Sequence, residues 1–172
     1  IRTVMAGRKP LVVGLATAFA AVVISCSIVM VVFDGYVVPS EANSPTLQPG
    51  DRILTRGVDG DVERGQLVIY APPRGSVGSE LLVGRVVATG GDTVGSSDGS
   101  LTVDGEVVSE PYLADGIWTD DLDEIDVPDG HVLVLGDLRT NSMDSVFGPV
   151  PVENIERRVA ARWWPISRVG SI

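Results

Sequence analysis

The chain has 172 residues, 44% apolar and only 5% aromatic, with 20 glycines, 11 prolines and a formal charge of −10. That length holds one domain of ordinary size beside an apolar segment, and the glycine and proline content points to a turn-rich β fold. Setting aside Arg2, Arg8 and Lys9, which precede the apolar segment, leaves ten basic against 23 acidic residues, a formal charge of −13. Such a surface repels nucleic acid and anionic head groups, which excludes both as partners.

Residues 11–33 are almost uninterrupted apolar and carry no charge, with Gly14, Thr17, Ser25, Cys26 and Ser27 as soft spots. A helix rising ~1.5 Å per residue over this run covers about 34 Å, enough for a hydrocarbon core of about 30 Å. Basic residues lie only before it, and the first acid is Asp34. The expectation is a cytoplasmic segment at 1–10, a transmembrane helix at 11–33 and an extracytoplasmic domain at 34–172, in a single-pass plasma-membrane protein. A cleaved signal peptide is disfavoured by the length of the run and by the lack of a small-residue cleavage site at its end. Val23-Ile24-Ser25-Cys26 resembles a lipidation box, but the apolar run continues past it, so Cys26 reads as a buried membrane thiol. Gly14, Ala18, Ala21 and Ser25 fall at helical spacing and would permit close helix packing.

Beyond the apolar run come short β-type stretches separated by turn chemistry. They are 51–55, 65–70 (ended by Pro72-Pro73), 81–88 (closed by Gly90-Gly91), and 101–103 with 106–108 around the hairpin signal Asp104-Gly105. The acid-rich stretch 115–129 reads as a long loop. Strand pattern returns at 131–135 and 157–166. No helical period stands out beyond the apolar run. A mainly β, antiparallel domain follows. The acids of 115–129 show no metal-ligand spacing, and Gly90-Gly91 is a turn rather than a phosphate loop, so neither metal nor cofactor is expected.

Several ordered motifs resemble one family. Pro39-Ser40, then Pro45-Thr46-Leu47 with Gly50-Asp51, is similar to the nucleophile motif of type I signal peptidases, usually Pro-Ser-x-Ser-Met-x-Pro-Thr-Leu. Gly65-Gln66-Leu67-Val68-Ile69-Tyr70 resembles the family's Gly-Asp-Ile-Val-Val-Phe strand. Arg85-Val86-Val87 running to Gly91-Asp92 resembles its lysine motif. Asp104-Gly105, Glu110-Pro111-Tyr112-Leu113 and Gly136-Asp137-Leu138-Arg139 to Asp144-Ser145 match further motifs, and Gly148-Pro149 and Trp164-Pro165 match the C-terminal end. The resemblance implies a signal-peptidase-like β domain.

It also implies five departures. The family's nucleophilic serine falls on Ala42 and its base lysine on Gly84, while Asn43 replaces methionine, Leu138 asparagine and Val146 arginine. A hydroxyl needs a base within hydrogen-bond reach, and a lysine serves only with a lowered pKa. The sole lysine is Lys9, so no Ser/Lys pair exists in the domain. Loss of such a pair typically costs on the order of 10⁶ in rate. The resemblance gives Ser40 and Ser142 supporting roles, and leaves Ser44, Ser145, Arg85, Asp137, Arg139 and Asp144 with them as the floor of the site. His131 reads as an edge histidine, and the remaining Ser/His arrangement pairs Ser44 with His131.

The sequence-based expectation is thus a pseudoenzyme, not an enzyme: a non-catalytic accessory, assembly or stabilising subunit of a larger bacterial cell-envelope complex of respiratory, translocation or pilus-assembly type. Its partners would be membrane proteins, reached through the helix and the acidic domain, and extended peptides. Two alternatives stand beside it. One is a peptide-binding chaperone for exported proteins, using the groove as a strand-binding edge. The other is an active signal peptidase with a displaced nucleophile.

Overall fold

The apolar run folds as one helix, α1 (Arg8–Val32). In the computed structural model, residues 8–32, 34–73, 81–119, 122–139 and 148–172 are described. Two compact units result, Ile1–Asp34 and Gly35–Ile172. Polar side chains within α1 bond its own backbone: Thr17 Oγ1 donates to Gly14 O (2.9 Å) and Ser27 Oγ to Val23 O (2.8 Å). Val12, Val13, Leu15, Phe19, Val22 and Ile24 are exposed. Among the described residues no helix is long and apolar enough to cross a membrane. Of the expected transmembrane span, the structure supports the helix α1 and its exposed apolar side chains, and a membrane crossing by it belongs with the proposals below. Phe33 lies outside the described residues.

The second unit is mainly β, as expected. One sheet runs in the order β1 (Asp34–Val37), β2 (Arg52–Arg56), β11 (Ile155–Trp164), β3 (Leu67–Tyr70), β4 (Leu82–Thr89), β9 (His131–Leu135) and β10 (Val150–Pro151), with β12 (Gly170–Ser171) also on β11. A smaller sheet runs β7 (Glu106–Val107), β6 (Ser100–Val103), β5 (Thr93–Ser97) and β8 (Ile125–Asp126). The registered pairings are antiparallel. Asp104 and Gly105 turn between β6 and β7 with φ of 53° and 79°, as a type I′ hairpin demands.

Three apolar clusters fill the domain. The first joins Val62, Val68, Tyr70, Val86, Val132, Val134, Val150 and Ile155. The second lies between the sheets, around Val87, Ala88, Val94, Leu101, Leu133 and Leu135. The third gathers Val38, Leu47, Ile53, Leu67, Ile69 and Val83. Strand β4 touches all three. A register shift between Val86 and Ala88 lets the neighbouring Val87 and Ala88 enter the same cluster, which strict alternation forbids.

The stretch 115–129 is not the free loop its composition suggests. Ile125 and Asp126 pair with Val94 and Thr93, Thr119 N–H donates to Gly99 O (2.9 Å), and Leu122 N–H donates to Ser96 Oγ (2.7 Å). Strand β5 would otherwise leave an open edge, and the alternating Ile125 and Val127 supply apolar contacts to close it. Two 3-10 turns, Val152–Asn154 and Ile166–Arg168, also escape a search for apolar period.

Candidate active site

Residues 38–51 form a turn-rich segment between β1 and β2. Its ends are tied together: Val38 N–H donates to Asp51 O and Gly50 N–H to Val38 O, both at 2.9 Å. Within it, Ser44 N–H donates to Glu41 O (2.8 Å), and the Ser44–Pro45 bond is cis. Leu47 anchors the turn in the third cluster. Two arginines clamp the outside. Arg168 Nη2 donates to Pro45 O (2.8 Å), Arg162 Nη1 donates to Thr46 O, and both guanidiniums flank the buried Asp51 carboxylate, at 3.1 and 3.7 Å. Asp51 Oδ2 also accepts Gln48 N–H (2.9 Å). The sequence named Asp51 as a motif residue, but nothing local announces partners more than a hundred positions away.

The clamped turn meets the sheet where two strands diverge. Val86 exchanges hydrogen bonds with Gly65 and Gln66 on the β3 side, so Val83 directs its peptide groups to the opposite side. On that side β9 pairs with β4 only from Arg85 onward. Residues 42 and 43 bridge the fork. Leu138 N–H donates to Ala42 O (2.9 Å), and Asn43 Nδ2 donates to Val83 O (2.6 Å). Ala42 and Gly84, the two family positions, are thus held near each other through their immediate neighbours.

Gly84 shares its face with Val86 and looks into the first cluster. A Cβ built there would stand 2.5 Å from Val134 Cγ1 and 3.4 Å from Tyr70 Cε1. No side chain fits unless Val134 moves.

Below the turn, Arg85 and Asp137 form a buried bidentate pair, Nε to Oδ1 and Nη2 to Oδ2, both 2.8 Å. Arg85 Nη1 also donates to Gly65 O (2.8 Å), and Nη2 reaches Thr46 Oγ1 (3.4 Å). Arg85 and Asp137 both belong to the floor named from the sequence, and Arg139, named with them, leaves it. Arg139 turns to the other sheet, pairing with Glu110 and donating to Thr119 Oγ1 (2.6 Å). Tyr112 joins the two arginines. Its ring lies 3.8 Å from the Arg85 guanidinium carbon, and its hydroxyl donates to Glu110 Oε1 (2.6 Å). Burial, reinforced by the Glu110 carboxylate, pushes the Tyr112 phenol well above its ordinary pKa, so it remains a neutral donor. Glu110, Tyr112 and Thr119 are the members of this network that sequence reasoning missed, although Glu110 and Tyr112 stood in a quoted motif.

Ser40 is exposed and Ser44 half-buried, both on the turn. Ser142, Asp144 and Ser145 lie outside the described residues. His131 opens β9, its Nδ1 3.1 Å from Asp129 O. The fork lies beyond the other end of that strand, four residues or about 13 Å away. The Ser44–His131 arrangement is therefore not assembled. Among the described residues no group of His, Cys, Asp and Glu is placed to hold a metal ion.

Comparison with known proteins gives this geometry its context. The family model for signal peptidase, peptidase S26, matches residues 11–164. The chain belongs to the peptidase S26 signal peptidase family. It is 34% identical to the probable signal peptidase I-2 of Synechocystis over 90% of this chain and 73% of that one. It is 31% identical to the signal peptidase I of Leptolyngbya laminosa over 95% and 85%, and 39% identical to that of Bacillus amyloliquefaciens over 74% and 73%. A solved signal peptidase I from Enterococcus faecalis shares 24% identity at a TM-score of 0.49, covering 58% of this chain and 97% of that one.

These S26 relatives overturn the expectation of a pseudoenzyme acting as a non-catalytic accessory subunit, since they are named as signal peptidases over most of their length. The physical reason lies in how that expectation was drawn. Ala42 and Gly84 exclude one nucleophile–base pair at two positions. They leave the turn, its hydroxyls at Ser40 and Ser44, and the Arg85–Asp137 floor in place.

Proposed function

We propose that this chain is a signal-peptidase-type endopeptidase acting on extended segments of exported proteins at a membrane, with a nucleophile displaced from position 42. The observation that carries the reading is the fork. There a turn bearing Ser40 and Ser44 abuts a β4 edge that, among the described residues, no strand covers at Val83. An extended peptide adds to such an edge through main-chain hydrogen bonds. Beside it the half-buried Tyr36 and Leu81, packed on the third cluster, offer apolar surface.

Ser44 is the hydroxyl assigned to attack. It lies one residue beyond the Asn43 anchor, and the Glu41 carbonyl and the arginine clamp fix its backbone. Asp51 and Asp137 are both committed to arginines. Membrane seating is assigned to α1, supported by its exposed apolar side chains.

The test is replacement in a bacterium depleted of its own signal peptidase. Full-length chain restores growth and precursor processing, Ser44→Ala does not, and Ser40→Ala does. Growth rescued equally by Ser44→Ala would remove the nucleophile assignment, and no rescue by any form would remove the enzyme reading.

A further inference from the structure

The Asn43 side chain reaches from the turn to the β4 edge. It is 1% exposed, its Nδ2 donates to Val83 O at 2.6 Å, and its Oδ1 has no hydrogen-bond partner among the described residues. Buried amides are nearly always satisfied at both ends. A primary amide has the shape and polarity of a peptide unit. Here it sits on the uncovered side of β4 and gives Val83 the bond that a neighbouring strand would give.

We propose that Asn43 is a specificity-determining residue that acts as an internal surrogate for peptide. It caps the β4 edge at Val83 and must be displaced before an extended peptide can pair there. The inference rests on the reading above that the edge receives peptides. Two features make displacement feasible. The bound arrangement satisfies only one end of the amide, whereas on release both ends reach water and Val83 O passes to the peptide. The flanking Ala42 and Ser44 are half-buried, so the side chain lies one layer below solvent. Only a peptide offering a free backbone N–H in the register of Val83 competes well, so the chain selects extended segments over coiled or helical ones.

The test uses full-length chain in detergent micelles and a twelve-residue alanine–valine peptide flanked by lysines, which suit the acidic domain. Asn43→Met removes the donor and puts a larger but flexible apolar side chain in its place. It is expected to bind the peptide about tenfold more tightly than wild type, the scale of one hydrogen bond released from competition. A peptide N-methylated at alternate amides is expected to bind neither protein. Equal or weaker binding by Asn43→Met, with the N-methylated control still inactive, overturns the role of Asn43 and leaves the edge reading standing. Equal binding of both peptides, or binding of neither to either protein, overturns the edge reading and this inference with it. Should Asn43→Met fail to fold, NMR of wild type decides: the Asn43 side-chain amide shifts towards solvent values as peptide saturates, and an unmoved signal overturns the proposal.

Discussion

Gly84 shows how one residue can be fixed by its neighbours. With Val134 Cγ1 only 2.5 Å from where a Cβ would lie, Gly84→Ala is overpacked and is expected to lose about 1–3 kcal/mol of stability. Val134→Ala alone leaves a cavity, but combined with Gly84→Ala the two should compensate. A denaturant double-mutant cycle would then give a favourable coupling, and strict additivity would show that the contact is not rigid. The Arg85–Asp137 pair makes the complementary case. Asp137 is fully buried, so Arg85→Met strands a charge and is expected to cost about 3–5 kcal/mol, read as a lower urea midpoint. Adding Asp137→Leu to Arg85→Met should restore much of that loss. Of these residues the sequence displayed Arg85 and Asp137 as motif members. It could not show that Arg139 turns away to Glu110, because that choice depends on packing between two sheets.

Among the elements, the turn joining β4 to β5 carries a pH signature. Burial alone would raise the Asp92 carboxyl, but the Thr89 backbone N–H at 2.8 Å and the Arg64 guanidinium at 3.0 Å outweigh it and hold the group below its ordinary value. A carboxyl depressed in the folded state binds fewer protons there than when unfolded. Its contribution is therefore present above the unfolded value and lost as pH falls through the folded one. Urea midpoints should fall between about pH 5 and pH 2, and Asp92→Asn should flatten part of that fall. A pH profile identical in the variant would show that other carboxylates carry it. The element scale is also where sequence reading succeeds and fails for visible reasons. Strands β2, β3, β4 and β9 announce themselves by β-branched runs, and the Asp104-Gly105 hairpin by its turn residues. Strand β8 has two residues, and its acidic neighbours hide the Ile125–Val94 pairing that holds it. Strands β1, β10 and β12, of two to four residues each, are too short to show a period.

Across the whole molecule, family and fold were legible from motif order, whereas activity was not legible from two lost side chains. The sequence showed that Ala42 and Gly84 cannot form a Ser/Lys pair. It did not show that Ser44 would sit on an arginine-clamped turn beside an open strand edge, since those arginines lie more than a hundred residues away. Relatives named as signal peptidases make cleavage the central claim. Its most direct test is the intact mass of an exported precursor after incubation with purified full-length chain in lipid vesicles. The account predicts two new products from a single cut, their masses summing to the precursor plus one water, with Ser44→Ala lowering the rate on the order of 10⁶-fold. A precursor that keeps its full mass, bound or unbound, would contradict it.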